Sequence, residues 1–242
     1  MTYIFVLSWE RPIYTWVCLD SIYRNTKGQF RVVLADNNSS DPLVRKVIEG
    51  FRRRGLFHAV HYRDQNDPRT LEWLVDRYWS EIGDYFVFIE SDISIFPTNG
   101  GWLSVMQNRL DEDPKIGALG SRVFKSDFVS MAEAKELEPE MTEADLGRLI
   151  KIRAPMRRHK MSDDPIISPH NPPLRLLMLR KEAYAQVGFG RDTQIHKAML
   201  RAGWRSVISN EVCHRHLSLL NIYDHPDYDN HSRDSFFGSL NE

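Results

Sequence analysis

"FVFIESDISIF", residues 86–96, places two carboxylates one residue apart at the end of an apolar run. Tyr85 to Ile89 are all apolar or aromatic, and a short run of this kind bounded by polar residues reads as a buried strand. Glu90-Ser91-Asp92 follows at once. In an extended segment Glu90 and Asp92 face the same side. Two like charges that close raise each other's proton affinity unless a cation sits between or beside them, and a buried charge without a partner is costly. The tripeptide therefore predicts a positive partner. A hard divalent metal bridging to a diphosphate would serve, because magnesium and manganese take carboxylate and phosphate oxygens. A solvated turn after the strand is the competing reading.

The surrounding chain alternates in type. "YIFVL" (3–7), "FRVVLA" (30–35), "FHAVHY" (57–62) and "YFVFI" (85–89) read as strands. Between them lie helical patterns: Ile13, Trp16, Val17, Leu19, Ile22 and Tyr23 after Pro12; a helix to about Arg54 opened by Asp41-Pro42, an N-cap followed by proline at the first helical position; then Leu71, Leu74, Val75, Tyr78 and Ile82. Strands alternating with helices of this length predict βαβ units and a mostly parallel, Rossmann-like α/β sheet flanked by helices. In such sheets ligands sit beyond the carboxyl ends of the strands, where Ser8, Asp36 and the Glu90/Asp92 pair all fall. The second half is less regular. It predicts a helix near 101–111, a strand near 116–121, a strand at 174–179, helices from Lys181 and from Asp192 to Ala202, and a strand at 205–209. Residues 133–145 carry six acids against one lysine, and 148–160 carry six Lys/Arg and no acid. That contrast reads as a self-paired helical insertion or as a basic wall for an anionic ligand.

The chain has 242 residues, 42% of them hydrophobic and 27% charged, an ordinary globular composition. A formal net charge of −1 argues against a surface that attracts nucleic acid throughout. Cys18 and Cys213 have no metal-type spacing and read as thiols in a reducing compartment. The apolar run at the amino terminus has five residues, too short for a signal peptide or a membrane span, and no other stretch approaches ~18 consecutive apolar residues. A cytoplasmic protein without an integral membrane segment is expected.

Six segments, in order, resemble glycosyltransferase family 2. "VLSWERP" is similar to that family's first strand and Arg-Pro turn, "VVLADNNSSD" to its nucleoside-holding segment, and "YFVFIESD" to its Asp-x-Asp motif. "GWLSVMQNRLDEDPKIGALGS" resembles the helix and strand that follow. "LMLRKEAYAQVGF" and "RDTQIHKAMLRAGW" resemble the Gly-Phe and Glu-Asp…Ala-Gly-aromatic stretches. The resemblance implies the A-type glycosyltransferase fold as a single domain over 1–220. Within it, 1–96 would be the nucleotide-binding half and 97–220 the acceptor half, with an insertion at about 125–170; 221–242 would be a polar tail. It implies a UDP- or GDP-sugar donor, a hydroxyl acceptor of unknown identity, Mn2+ or Mg2+ as cofactor, and inversion at the anomeric carbon. Asp36 would accept a hydrogen bond from the base with Ser8 nearby, and Glu10, Arg11, Asn38 and Ser91 would line the donor site. Glu90 would meet the ribose or a metal-bound water, Asp92 would ligate the metal, and Asp192 would be the general base. A histidine of "CHRHL" would complete the metal site, with His214 preferred to His216. The chain departs from the family pattern at Glu90, where Asp is usual, and at Arg191, where an acid is usual. "NDPRTLEW" offers no glycine, and Arg69 stands in as the arginine over the nucleotide. A nucleotidyltransferase, a non-catalytic sugar- or nucleotide-binding domain, and nucleic-acid binding through 148–160 are the alternatives.

Overall fold

The computed structural model describes residues 1–124, 131–137, 139–146, 164–167, 175–190 and 192–217. The basic run at 148–160, Arg191 and the tail 221–242 lie outside them. In order, the elements are β1 (Thr2–Ser8), α1 (Pro12–Asn25), β2 (Phe30–Asp36), α2 (Pro42–Arg53), β3 (Phe57–Tyr62), α3 (Thr70–Tyr78), β4 (Tyr85–Glu90), β5 (Ile93–Ile95), α4 (Trp102–Glu112), β6 (Ile116–Val123), α5 (Met131–Leu137), β7 (Ile166–Ile167), β8 (Leu176–Arg180), α6 (Lys181–Val187), α7 (Asp192–Arg201) and β9 (Arg205–His216).

The strands form one nine-stranded sheet in the order β3-β2-β1-β4-β8-β6-β9-β5, with β7 paired to β9. β3, β2, β1 and β4 are mutually parallel. β8 enters antiparallel between β4 and β6, and β6 and β9 are parallel to each other. Alternation along the strands sorts side chains into two cores. Ile4, Val6, Val32, Leu34, Val87, Ile89, Met178 and Val207 pack under α1, α2 and α4. Tyr3, Phe5, Val33, Phe86, Phe88, Leu177 and Leu179 pack under α3, α6 and α7. Covering both faces explains why β1 and β4 read as continuous apolar runs instead of alternating ones.

Local chemistry sets the helix starts. Asp41 accepts a hydrogen bond from the Leu43 N–H at 2.9 Å, and Pro42 supplies the first turn of α2. Pro12 does the same for α1, behind a left-handed Arg11 (φ 56). The acidic stretch contributes α5, a short helix with an exposed face. β9 runs seven residues past the predicted strand end at 209 and carries both histidines. Both cysteines are free, Cys18 buried and Cys213 half-buried. Among the described residues no helix is long and apolar enough to cross a membrane.

Candidate active site

The parallel register aligns three strand ends. Ser8 pairs with Asp36, and Leu7 with Glu90, so the last residues of β1, β2 and β4 lie side by side. Beyond them opens a crevice of about 660 Å³ whose walls include Trp9, Asn37, Asn66, Glu90, Arg175 and Gln194. It is framed by the carboxyl edge of the parallel half and by the first turn of α7, which supplies Thr193 and Gln194.

The loops after β1 and β2 are tied together through side chains. Glu10 accepts from the Ser40 N–H at 2.6 Å and the Asp41 N–H at 3.2 Å, while its own N–H donates to Ser39 Oγ at 2.8 Å. Ser39 Oγ donates in turn to Asp36 at 2.5 Å. Burial raises the Asp36 pKa against the lowering effect of its Ser39 bonds, and nearby Glu10 raises it further. Asn37 is 3% exposed and fastens β2 to the start of α3. It donates to Asn66 at 2.5 Å and accepts from Thr70 Oγ1 at 2.7 Å and the Asp67 N–H at 3.1 Å. Glu10, Arg11 and Asn38 are the described non-glycine residues with left-handed backbone. All three border the crevice loops, the kind of place where strained backbone accompanies a binding site.

On the other side of β4, Asp92 meets the end of β9. The antiparallel register sets Ile93 opposite His216 and Ile95 opposite His214, so His216 reaches Asp92 and His214 lies two residues deeper. His216 Nε2 is 2.9 Å from Asp92 Oδ2, Arg175 Nε donates to the same nitrogen at 2.8 Å, and an Arg11 guanidinium nitrogen stands 4.0 Å from Asp92 Oδ2. Burial alone would raise the Asp92 pKa; the His216 contact and the charges of His216, Arg175 and Arg11 outweigh it and bring it to about 2. Asp92 therefore stands beside two cationic side chains, Arg175 and Arg11. Burial lowers the His216 pKa, and the contact with Asp92 opposes that shift.

Other expected site residues sit elsewhere. His214 is fully buried, with Nδ1 2.6 Å from Ser121 Oγ, and its register keeps it from Asp92. It is His216, not His214, that touches Asp92. The Ser8 hydroxyl is sealed inside against Thr15 at 3.1 Å, and its carbonyl accepts the Asn37 N–H. The Ser91 N–H donates to the Leu7 carbonyl at 3.0 Å, sewing β4 to β1. Arg69 points outward, 72% exposed, and pairs with Glu72; the arginine in the crevice is Arg175. Of the expected site residues Glu90 lines the crevice; Asp36 precedes the lining residue Asn37, Asp92 lies two residues beyond Glu90, and Asp192 opens α7 immediately before the lining residue Thr193. Sequence reasoning missed Arg175 and Asn37, and named His216 only as the second choice after His214. A lone arginine entering the apolar run "LLML" was the available signal for the first.

Asp92 and His216 meet at ordinary hydrogen-bond distance, with Arg175 and Arg11 beside them. No group of three His, Cys, Asp or Glu side chains that could hold a metal ion gathers among the described residues.

A sequence model described as glycosyl transferase family 2 matches residues 3–162, from β1 through the parallel half and β6. The chain belongs to glycosyl transferase family 2. A search of curated proteins finds no match. Among solved structures, the family 2 chain resembles GalNAc-T7 crystallised with UDP, GalNAc and Mn2+ (TM-score 0.59, 10% identity, 100% of this chain and 50% of that one). It also resembles the mannosyltransferase PcManGT from Pyrobaculum calidifontis in complex with GDP-Man and Mn2+ (0.56, 14%, 100% and 64%). S. aureus TarS residues 1–349 in complex with UDP is a third (0.54, 16%, 88% and 60%). At these identities the likeness shows the fold, the A-type glycosyltransferase fold, and this chain spans 50–64% of the length of those three.

Proposed function

We propose that this family 2 chain transfers a sugar from a UDP- or GDP-sugar to an acceptor hydroxyl, with inversion at the anomeric carbon. The observation that carries the reading is the position of Asp36 and Glu90 at the carboxyl ends of β2 and β4, the two strands that flank β1, with Asp92 just past β4 in contact with His216. Solved structures of the same fold that hold UDP or GDP-Man together with Mn2+ add support.

Asp36, positioned by Ser39 and Glu10, would meet the base; Glu90 would meet the ribose. Asp92 and His216 would hold a divalent cation, which when bound neutralises diphosphate charge and so improves the leaving group. Glu10, fully engaged in tying the two loops, orders the donor site from behind. Asp192, at the start of α7, would take the proton of the acceptor hydroxyl as that oxygen attacks the anomeric carbon. The test is a thermal-shift panel of nucleotide sugars with and without manganese, since a ligand of the native state raises its melting point. A UDP- or GDP-sugar that stabilises only with manganese, and is then consumed with release of the nucleoside diphosphate, supports the reading. Release of pyrophosphate would mark a nucleotidyltransferase instead. Binding without turnover across acceptors would leave a sugar-nucleotide-binding domain.

A further inference from the structure

We infer that Arg175 grips the diphosphate of the donor and gives the crevice its preference for a nucleoside diphosphate over the bare nucleoside. This deepens the nucleotide-sugar reading above and rests on it. β2, β1, β4 and β8 are successive neighbours in the sheet, each about 5 Å from the next. β8 runs against β4 and sets Leu176 opposite Ile89. Its approach therefore starts at the edge where the parallel strands end, and Arg175 stands there. The Glu90 N–H donates to the Arg175 carbonyl at 3.2 Å, which pins the two main chains side by side. Asp36, Glu90 and Arg175 thus follow one another along the carboxyl edge, at β2, β4 and β8. A nucleotide with its base at Asp36 and its ribose at Glu90 carries its phosphates to the next position along that line.

The chemistry at that position suits an anion. Of the described residues that line the crevice, Arg175 is the one with a positive charge. It is half-buried, and its Nε donates to His216 at 2.8 Å, which holds the guanidinium in place. Among the described residues its two Nη nitrogens make no hydrogen bond and the side chain makes no ion pair. Asp92 contacts Arg11 and His216 instead. A guanidinium keeps its proton under all ordinary conditions, and a charge drawn partly out of water gains from an anionic partner. Two parallel Nη–H groups match two oxygens of a phosphate, the bidentate geometry in which arginine surpasses lysine. The arginine expected over the nucleotide, Arg69, is turned outward and paired with Glu72.

The test is calorimetry on the full chain at a fixed manganese concentration, comparing UDP with uridine and GDP with guanosine. In the wild type the diphosphate should tighten binding relative to the nucleoside. Arg175→Met should cut that gain on the order of tenfold, because hydrogen bonds between ionised groups are the strong ones, and should leave nucleoside affinity unchanged. Arg175→Lys keeps the charge without the fork and should retain part of the gain. Arg11→Met removes a positive charge from outside the crevice lining and should lose less. Equal affinities for diphosphate and nucleoside in the wild type, or a full gain kept by Arg175→Met, overturn the inference. An equal loss in Arg11→Met also overturns it, since that marks a diffuse field instead of a grip. Raising manganese to saturation should not restore the gain in Arg175→Met; restoration would mean that the arginine acts through the ion, and sinks the inference. If Arg175→Met does not fold, Arg175→Lys carries the test, and a full gain there has the same consequence. A wild-type chain that binds none of the four ligands refutes the nucleotide-sugar reading itself. A wild-type gain that is insensitive to Arg175 leaves that reading standing and removes only this residue.

Discussion

Asp92 stands among His216, Arg175 and Arg11, and these partners overcome the burial that would otherwise neutralise it. Asp92→Ala is expected to abolish manganese-dependent UDP binding by calorimetry; binding at wild-type strength would remove Asp92 from the metal site. Asp192→Asn should lower kcat by ~10²–10⁴, the usual worth of a positioned base, with donor affinity intact. Near-normal turnover in single-turnover assays would exclude that role. His214 gives a stability prediction of definite sign. Burial depresses its pKa to about 3, whereas an unfolded histidine titrates near ~6.5. The unfolded chain therefore binds a proton first as pH falls, and stability drops from about pH 6.5 downward until the folded pKa is reached. In denaturant melts across that window, His214→Gln should show a shallower acid limb than wild type. The identity of the histidine at Asp92 was not legible in "CHRHL", because alternation puts residues 214 and 216 on one face. Only the pairing with Ile93–Ile95, far away in sequence, decides between them.

At the level of elements, the parallel half was readable because each piece carries its own signal: apolar runs for β1 to β4, Asp41-Pro42 for α2, a 3.6-residue period for α3. β5 and β7, of three and two residues, leave no such trace and exist through their pairing with β9. Arg175 was hidden for a related reason, since its role comes from β8 lying between β4 and β6. Gly117 shows how closely the second half is packed. A Cβ there would lie 2.8 Å from Met199 Sδ, 2.9 Å from Ala183 Cβ and 3.0 Å from Trp204 Cβ. Gly117→Ala should cost ~1–3 kcal/mol by overpacking, measured in urea. It pushes on α6 and α7, so kcat is expected to fall with it, because α7 begins at Asp192. Asp41→Ala removes the cap of α2 and should cost ~1 kcal/mol; an unchanged denaturation midpoint would contradict the capping geometry.

Across the whole molecule, the site draws on residues from Glu10 to His216, and the sheet is closed in the middle by a strand that comes late in the chain. β4 is finished at Glu90, yet its neighbour β8 begins at Leu176. During synthesis at ~5–20 residues per second, β4 waits on the order of ten seconds for that partner. For that interval an apolar strand shows a bare row of amides and carbonyls, the arrangement that recruits foreign chains. Nascent polypeptide halted before β8 should therefore aggregate when released from the ribosome, whereas chains carried through β9 should not. Dependence on chaperones during translation is the expected cost of placing a reversed strand at the centre of this sheet.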